Sequence, residues 1–157
     1  MKLSIKKGFS FGLTSGVITT LGLIVGLHSG TQSKNIVIGG ILVIAIADAM
    51  SDALGIHISE ESKNEHSAKE IWETTIFTFL SKFFFALIFV IPFLFLSLFP
   101  AIIICIIWGL GLIVLLSYKM ARQQGTKPYG VIFEHLIIAI AVILITHYTG
   151  DWVATFK

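Results

Sequence analysis

The sequence predicts an all-α polytopic membrane protein with five transmembrane helices. Two observations predict it. Of the 157 residues 55% are hydrophobic and only 13% are charged, about half the charge of a typical soluble domain. The apolar residues, 13 Phe among them, fall in long runs, and a spanning helix needs roughly 20 such residues. Mean hydropathy is +0.92, so the natural solvent of this surface is lipid. No linker rich in Pro, Ser or charge divides the chain, and residues 1–157 read as a single transmembrane domain.

The first span is expected at about 8–27. Its basic start and apolar run resemble a signal peptide, but the apolar stretch is too long and no A-x-A-like cleavage site follows. The second is expected at about 36–59, the third at 71–96, the fourth at 101–118 and the fifth at 131–148. Pro100 suits the first turn of the fourth, where a missing N–H costs nothing. Pro92 lies inside the third, and should kink it or end its regular part.

Orientation follows from Lys and Arg, which favour the cytoplasmic side. With the N-terminus cytoplasmic and the C-terminus opposite, Lys2, Lys6, Lys7, Lys63, Lys69, Lys119, Arg122 and Lys127 are inside. Only Lys34 and Lys157 are outside, and Lys82 is within a span. A multi-pass integral membrane protein is the expected localisation, and the membrane is the cell membrane if the source is prokaryotic. The lipid bilayer is its first partner. The formal net charge of +2 gives no reason to expect nucleic acid. Cys105 is alone, which excludes an intrachain disulfide and any Cys-based metal motif.

Glycines recur every fourth residue in the first span, at Gly8, Gly12 and Gly16 and again at Gly22, Gly26 and Gly30. Each set lies on one helix face, where another backbone can come close. The neighbour is either a helix of the same chain or a second copy, and a homodimer with this helix near the seam is one expectation.

The second span carries the chemistry. Asp48, Ser51, Asp52, Gly55, Ser59 and Ser62 share one stripe at 100° per residue. A carboxylate at mid-bilayer costs about 2.5 kcal/mol or more on insertion scales. Two of them a turn apart also repel, so a cation, a proton or a basic side chain must hold them. Lys82 sits at a similar depth in the third span and is the candidate charge partner. Either it only neutralises the acids, or it competes with a cation or proton for them.

A second acidic group lies where the second span ends: Glu60, Glu61, Glu65, Glu70 and Glu73, with His66. Carboxylates with an imidazole suit Mn²⁺, Fe²⁺ or Zn²⁺. A solvated hairpin whose acids pair with Lys63 and Lys69 is the simpler account. Interfacial placement explains Glu134, His135, His147 and Asp151, and His28 and His57 read as helix-end or packing residues. Walker, HExxH, GxSxG and dinucleotide glycine patterns are absent, which argues against an ATP-driven pump and the commoner hydrolases. No nucleophile stands beside a base in the sequence, so an enzyme is not expected.

The stretches TSGVITTLGLIVGL and AMSDALGIHISEES resemble the first and second helices of the vacuolar iron transporter family of iron and manganese transporters. Ser51, Gly55, Ser59 and Ser62 stand in matching places, Pro92 matches a third-helix proline, and ITHYTGDWV resembles the end of the fifth helix. The resemblance implies five spans, a cytoplasmic N-terminus and export of a divalent metal from the cytoplasm, with protons as the candidate exchange ion. The departures are specific. The family's first-helix Asp aligns with Ser15, its second-helix Met with Asp52, and its Glu beside the Gly with Ile56. The long cytoplasmic metal-binding helices are reduced to a short acidic turn.

On this resemblance the metal ligands would be Asp48 and Asp52, with neutral oxygens from Ser15, Ser51 and Ser59. Glu60, Glu61, Glu65, Glu70 and Glu73 would gather cations at the inner mouth. The divalent metal, Fe²⁺ or Mn²⁺, would be substrate, with no tightly bound cofactor. Loss of the thioether favours the harder Mn²⁺. The alternative is a non-transporting membrane scaffold with a buried Asp/Lys charge network.

Overall fold

The computed structural model describes residues 2–156. Six helices follow in order: α1 (Leu3–Thr31), α2 (Lys34–Glu61), α3 (Ala68–Ile88), α4 (Ile91–Phe95), α5 (Leu98–Gln124) and α6 (Pro128–Ala154). Five spans result, because α3 and α4 together form the third, Ala68–Phe95. Lys157 lies outside the described residues.

Every span outruns its expected apolar stretch at one or both ends. The reason is that unpaired backbone groups are costly near lipid, so the ladder continues into the polar interface. In α1 the added turn carries Ser4, Lys6 and Lys7. In α5 it carries Arg122 and Gln124, and Gly125 then closes the helix at φ 68°.

The third span breaks where proline chemistry requires. Pro92 has no N–H to donate to the carbonyl of Ile88 four residues earlier, so α3 ends at Ile88. Phe89 and Val90 turn instead on i→i−3 bonds to Ala86 and Leu87. Pro92 then sits in the first turn of α4. Lys34 donates to the carbonyl of Leu96 at 2.9 Å, satisfying a backbone group where α4 stops.

α1 is the central helix and packs on α2, α3, α5 and α6. Its Leu13, Val17, Leu21 and Ile24 meet Val37 and Ile41 of α2, Phe89 and Phe93 near the break, and Ile102, Cys105 and Ile113 of α5 in one apolar core. α6 is peripheral, with only Ala139 and Gly150 buried.

Both glycine ladders are used within the chain. A Cβ on Gly8 or Gly12 would strike the backbone of Thr74 or Thr78 in α3, and one on Gly16 would lie 3.1 Å from the carbonyl oxygen of Lys82. A Cβ on Gly26 would lie 3.2 Å from the carbonyl oxygen of Thr146 in α6. The expectation of a dimer seam at Gly8, Gly12 and Gly16 is therefore corrected. That face is filled by α3, whose Thr74 and Thr78 hydroxyls also reach the carbonyls of Ser4 and Gly8 at 3.3 and 3.4 Å.

Candidate functional site

α1 and α3 run parallel, with α2 antiparallel between their ends. The glycines of α1 let α3 come close enough for a long side chain at Lys82 to pass between helices. Its side chain is 2% exposed, and its ammonium reaches the polar stripe of α2. Lys82 lies about 21 Å along α3 and Asp48 about 21 Å along α2, at 1.5 Å per residue, so the cluster is near mid-bilayer.

Two donors converge on one oxygen of Asp52. Lys82 Nζ donates to Asp52 Oδ2 at 2.5 Å, and Ser15 Oγ donates to the same oxygen at 2.6 Å. Lys82 also donates to Ser15 Oγ at 2.9 Å. Asp48 Oδ2 is 2.6 Å from Lys82 Nζ, near enough for an ion pair but off the direction of a hydrogen bond. That oxygen is buried and has no hydrogen-bond donor among the described residues. Two carboxylates face one ammonium, which leaves one negative charge uncompensated when all three are ionised. Charge of this kind in a low-dielectric setting attracts a cation or a proton.

Ser51 and Ser59 are not part of this cluster. They lie on the exposed face of α2 with Ala47 and Gly55, at four-residue spacing. A Cβ on Gly55 would meet nothing within 4 Å.

The acids at the basic end have separate fates. Glu60 is buried, and its Oε1 accepts from Lys7 at 2.6 Å and Lys63 at 2.8 Å. His66 Nε2 is 3.2 Å from its other oxygen, an ion pair when the ring is protonated. The Glu60 hydrogen bond raises the pKa of Lys63. Glu70 closes a capping box with Ser67 at the start of α3. Glu73 accepts from Lys2 at 2.8 Å and Ser4 at 2.7 Å. Glu61 and Glu65 are exposed and make no hydrogen bond or salt bridge among the described residues. Nor do any three His, Cys, Asp or Glu side chains among them stand close enough to hold a metal ion.

Three polar contacts have no local signal in the sequence. Ser29 of α1 bonds to Nδ1 of His147 in α6, and Nε2 of that ring is 3.4 Å from Asp151. This row of hydroxyl, imidazole and carboxylate lies at the C-terminal end of α1. Free backbone groups there are carbonyls, so it offers no N–H donors to an oxyanion. His57 bonds Thr75 at 2.9 Å and His135 bonds Ser117 at 2.8 Å, each tying two neighbouring helices. The paired residues are far apart in the chain or on different spans, and only docking of the helices brings them together.

Comparison with curated proteins found no match. Residues 7–75, rather less than half of the chain, match the model of the VIT family. The match covers nearly all of α1, the whole of α2, the turn that holds the Glu60 hub and the first turns of α3. It takes in Ser15, Asp48 and Asp52 and stops short of Lys82. Similarity to that family agrees with a multi-pass protein holding ionisable groups at mid-bilayer. Residues 7–75 are thus similar to the VIT family, and the chain has five helices apolar and long enough to span a membrane.

Proposed function

We propose that the protein moves a divalent metal cation, Fe²⁺ or Mn²⁺, out of the cytoplasm in exchange for protons. The observation that carries this reading is Asp48 Oδ2, a buried carboxylate oxygen that among the described residues has no hydrogen-bond donor and shares the Lys82 ammonium with Asp52 as its ion-pair partner. Oxygen ligands of this type suit hard divalent cations. Asp48 and Asp52 are the site carboxylates, and Ser15 adds a neutral oxygen. Lys82 holds the place of the cation while the site is empty. An arriving metal displaces either a proton or the Lys82 ammonium, so transport depends on pH. Of the acids at the inner mouth, Glu61 and Glu65 remain available to attract cations.

One chain supplies too few ligands, and a homodimer supplies more. The exposed face of α2 has small residues at Ala47, Ser51, Gly55 and Ser59, next to the half-buried Asp48 and Asp52. A second copy seated there shields the carboxylates from lipid and brings Ser51 and Ser59 to the seam.

The test is metal uptake into proteoliposomes, with Mn²⁺, Fe²⁺, Co²⁺ and Zn²⁺ assayed separately at two pH values. Wild-type protein should move Mn²⁺ or Fe²⁺, and Asp52→Asn should abolish this while the protein still folds. A double variant, Asp48→Asn with Asp52→Asn, that transports at the wild-type rate would end the proposal. The closed Asp52–Lys82–Ser15 contacts would then be a structural network, as in a membrane scaffold.

A further inference from the structure

α1 and α5 touch near mid-bilayer, where a Cβ on Gly109 would lie 2.6 Å from Leu21 Cδ1. At the basic end they stand apart. A cavity of about 300 Å³ opens there between the first turns of α1 and the last turn of α5. Leu3 and Met120 line it with apolar carbon, and Lys6, Ser10, Gln123 and Gln124 line it with hydrogen-bond donors. No carboxylate among the described residues lines it.

One of the two charges that line this cavity is not neutralised from within. Lys7 also borders it, but its ammonium is 2.6 Å from Glu60. The Lys6 ammonium has no salt bridge or side-chain hydrogen bond among the described residues, and neither has Lys119. Lys119 lies one turn before Gln123 on the same face of α5. The occupant that matches has an anionic head at the level of the membrane interface and an apolar body below it. Leu3, 78% exposed, offers the body a path into the bilayer.

We infer that this groove binds the phosphodiester headgroup of an anionic phospholipid in the leaflet at the basic end, with an acyl chain along Leu3 and Met120. A general excess of Lys and Arg attracts such lipids to any face of that end. The groove instead sets a cation and two amides of two different helices around one cavity, so the lipid bridges α1 and α5 where protein contact is lacking.

The experiment uses the full chain in detergent. Its thermal midpoint is followed against added phosphatidylglycerol, phosphatidylcholine or inorganic phosphate, and native mass spectrometry counts retained lipid. Phosphatidylglycerol should raise the midpoint saturably, with one lipid retained per chain, and phosphatidylcholine should not. Lys6→Gln should weaken the effect by about five-fold, the usual share of one basic residue at an anionic surface. Its midpoint in phosphatidylcholine should equal that of wild type, which shows that it folds. Arg122→Gln, outside the cavity lining, should behave as wild type. Equal stabilisation by the two lipids overturns the inference. So does an equal loss from Arg122→Gln, which would mean diffuse charge attraction, or full stabilisation by inorganic phosphate, which would mean a phosphate site without lipid. No arm depends on metal transport.

Discussion

At the scale of single residues, Lys82 has the most consequences. It is one ammonium facing two carboxylates, itself almost fully buried. Removing it leaves Asp48 and Asp52 without their partner, and breaking a buried pair from one side costs about 3 kcal/mol or more. Lys82→Met should therefore lower the thermal midpoint in detergent. Adding Asp48→Asn and Asp52→Asn to it should recover much of the loss, since no stranded charge remains. A triple variant less stable than Lys82→Met alone would show that the acids are held by something other than Lys82. The two acids and Lys82 were legible in the sequence because charge inside an apolar run is conspicuous, and matching depth made them candidate partners. Ser15 was legible only through its place in a family pattern. Nothing along the chain shows that its hydroxyl donates to Asp52, because that contact exists only once α1 and α2 are packed.

At the scale of helices, the same motif has different meanings on different faces. Four-residue spacing of small residues occurs in α1 and in α2. In α1 the spaces are filled by α3 and α6 of the same chain. In α2 the face of Ser51, Gly55 and Ser59 is open. Gly12→Leu should thus act on folding: its new side chain meets Ser81 and the Thr78 carbonyl, and overpacking of this kind costs about 3 kcal/mol. Gly55→Leu should leave the thermal midpoint of the monomer near wild type and weaken dimerisation. Cross-linking and size analysis in detergent check both. A Gly55→Leu variant that dimerises like wild type would place the seam elsewhere. The proline of the third span shows the opposite situation, in which local chemistry was enough. Loss of one N–H at Pro92 frees one carbonyl, and the helix stops at Ile88.

At the scale of the whole molecule, five spans put the two ends of the chain on opposite sides. The eight basic residues at one end predict that this side is cytoplasmic. Cysteine-accessibility labelling at positions 34 and 63 should find them on opposite sides, with position 63 and position 122 together. Labelling of 34 and 63 from one side would refute the five-span topology. By itself the sequence determined the fold class, the number of spans and the break in the third. These follow from one-dimensional properties, namely the length of apolar runs and the absence of an N–H, in a solvent that allows the backbone few alternatives. Only the tertiary structure decided which side chains meet. It set Lys82 between Asp48 and Asp52, engaged Glu60, Glu70 and Glu73 in structural contacts, and turned the glycine ladders of α1 inward. Hydrophobicity does not choose helix neighbours in lipid, where tails are as apolar as leucine. The choice comes from close packing and polar contacts between particular faces, and those faces are combined only when the helices dock.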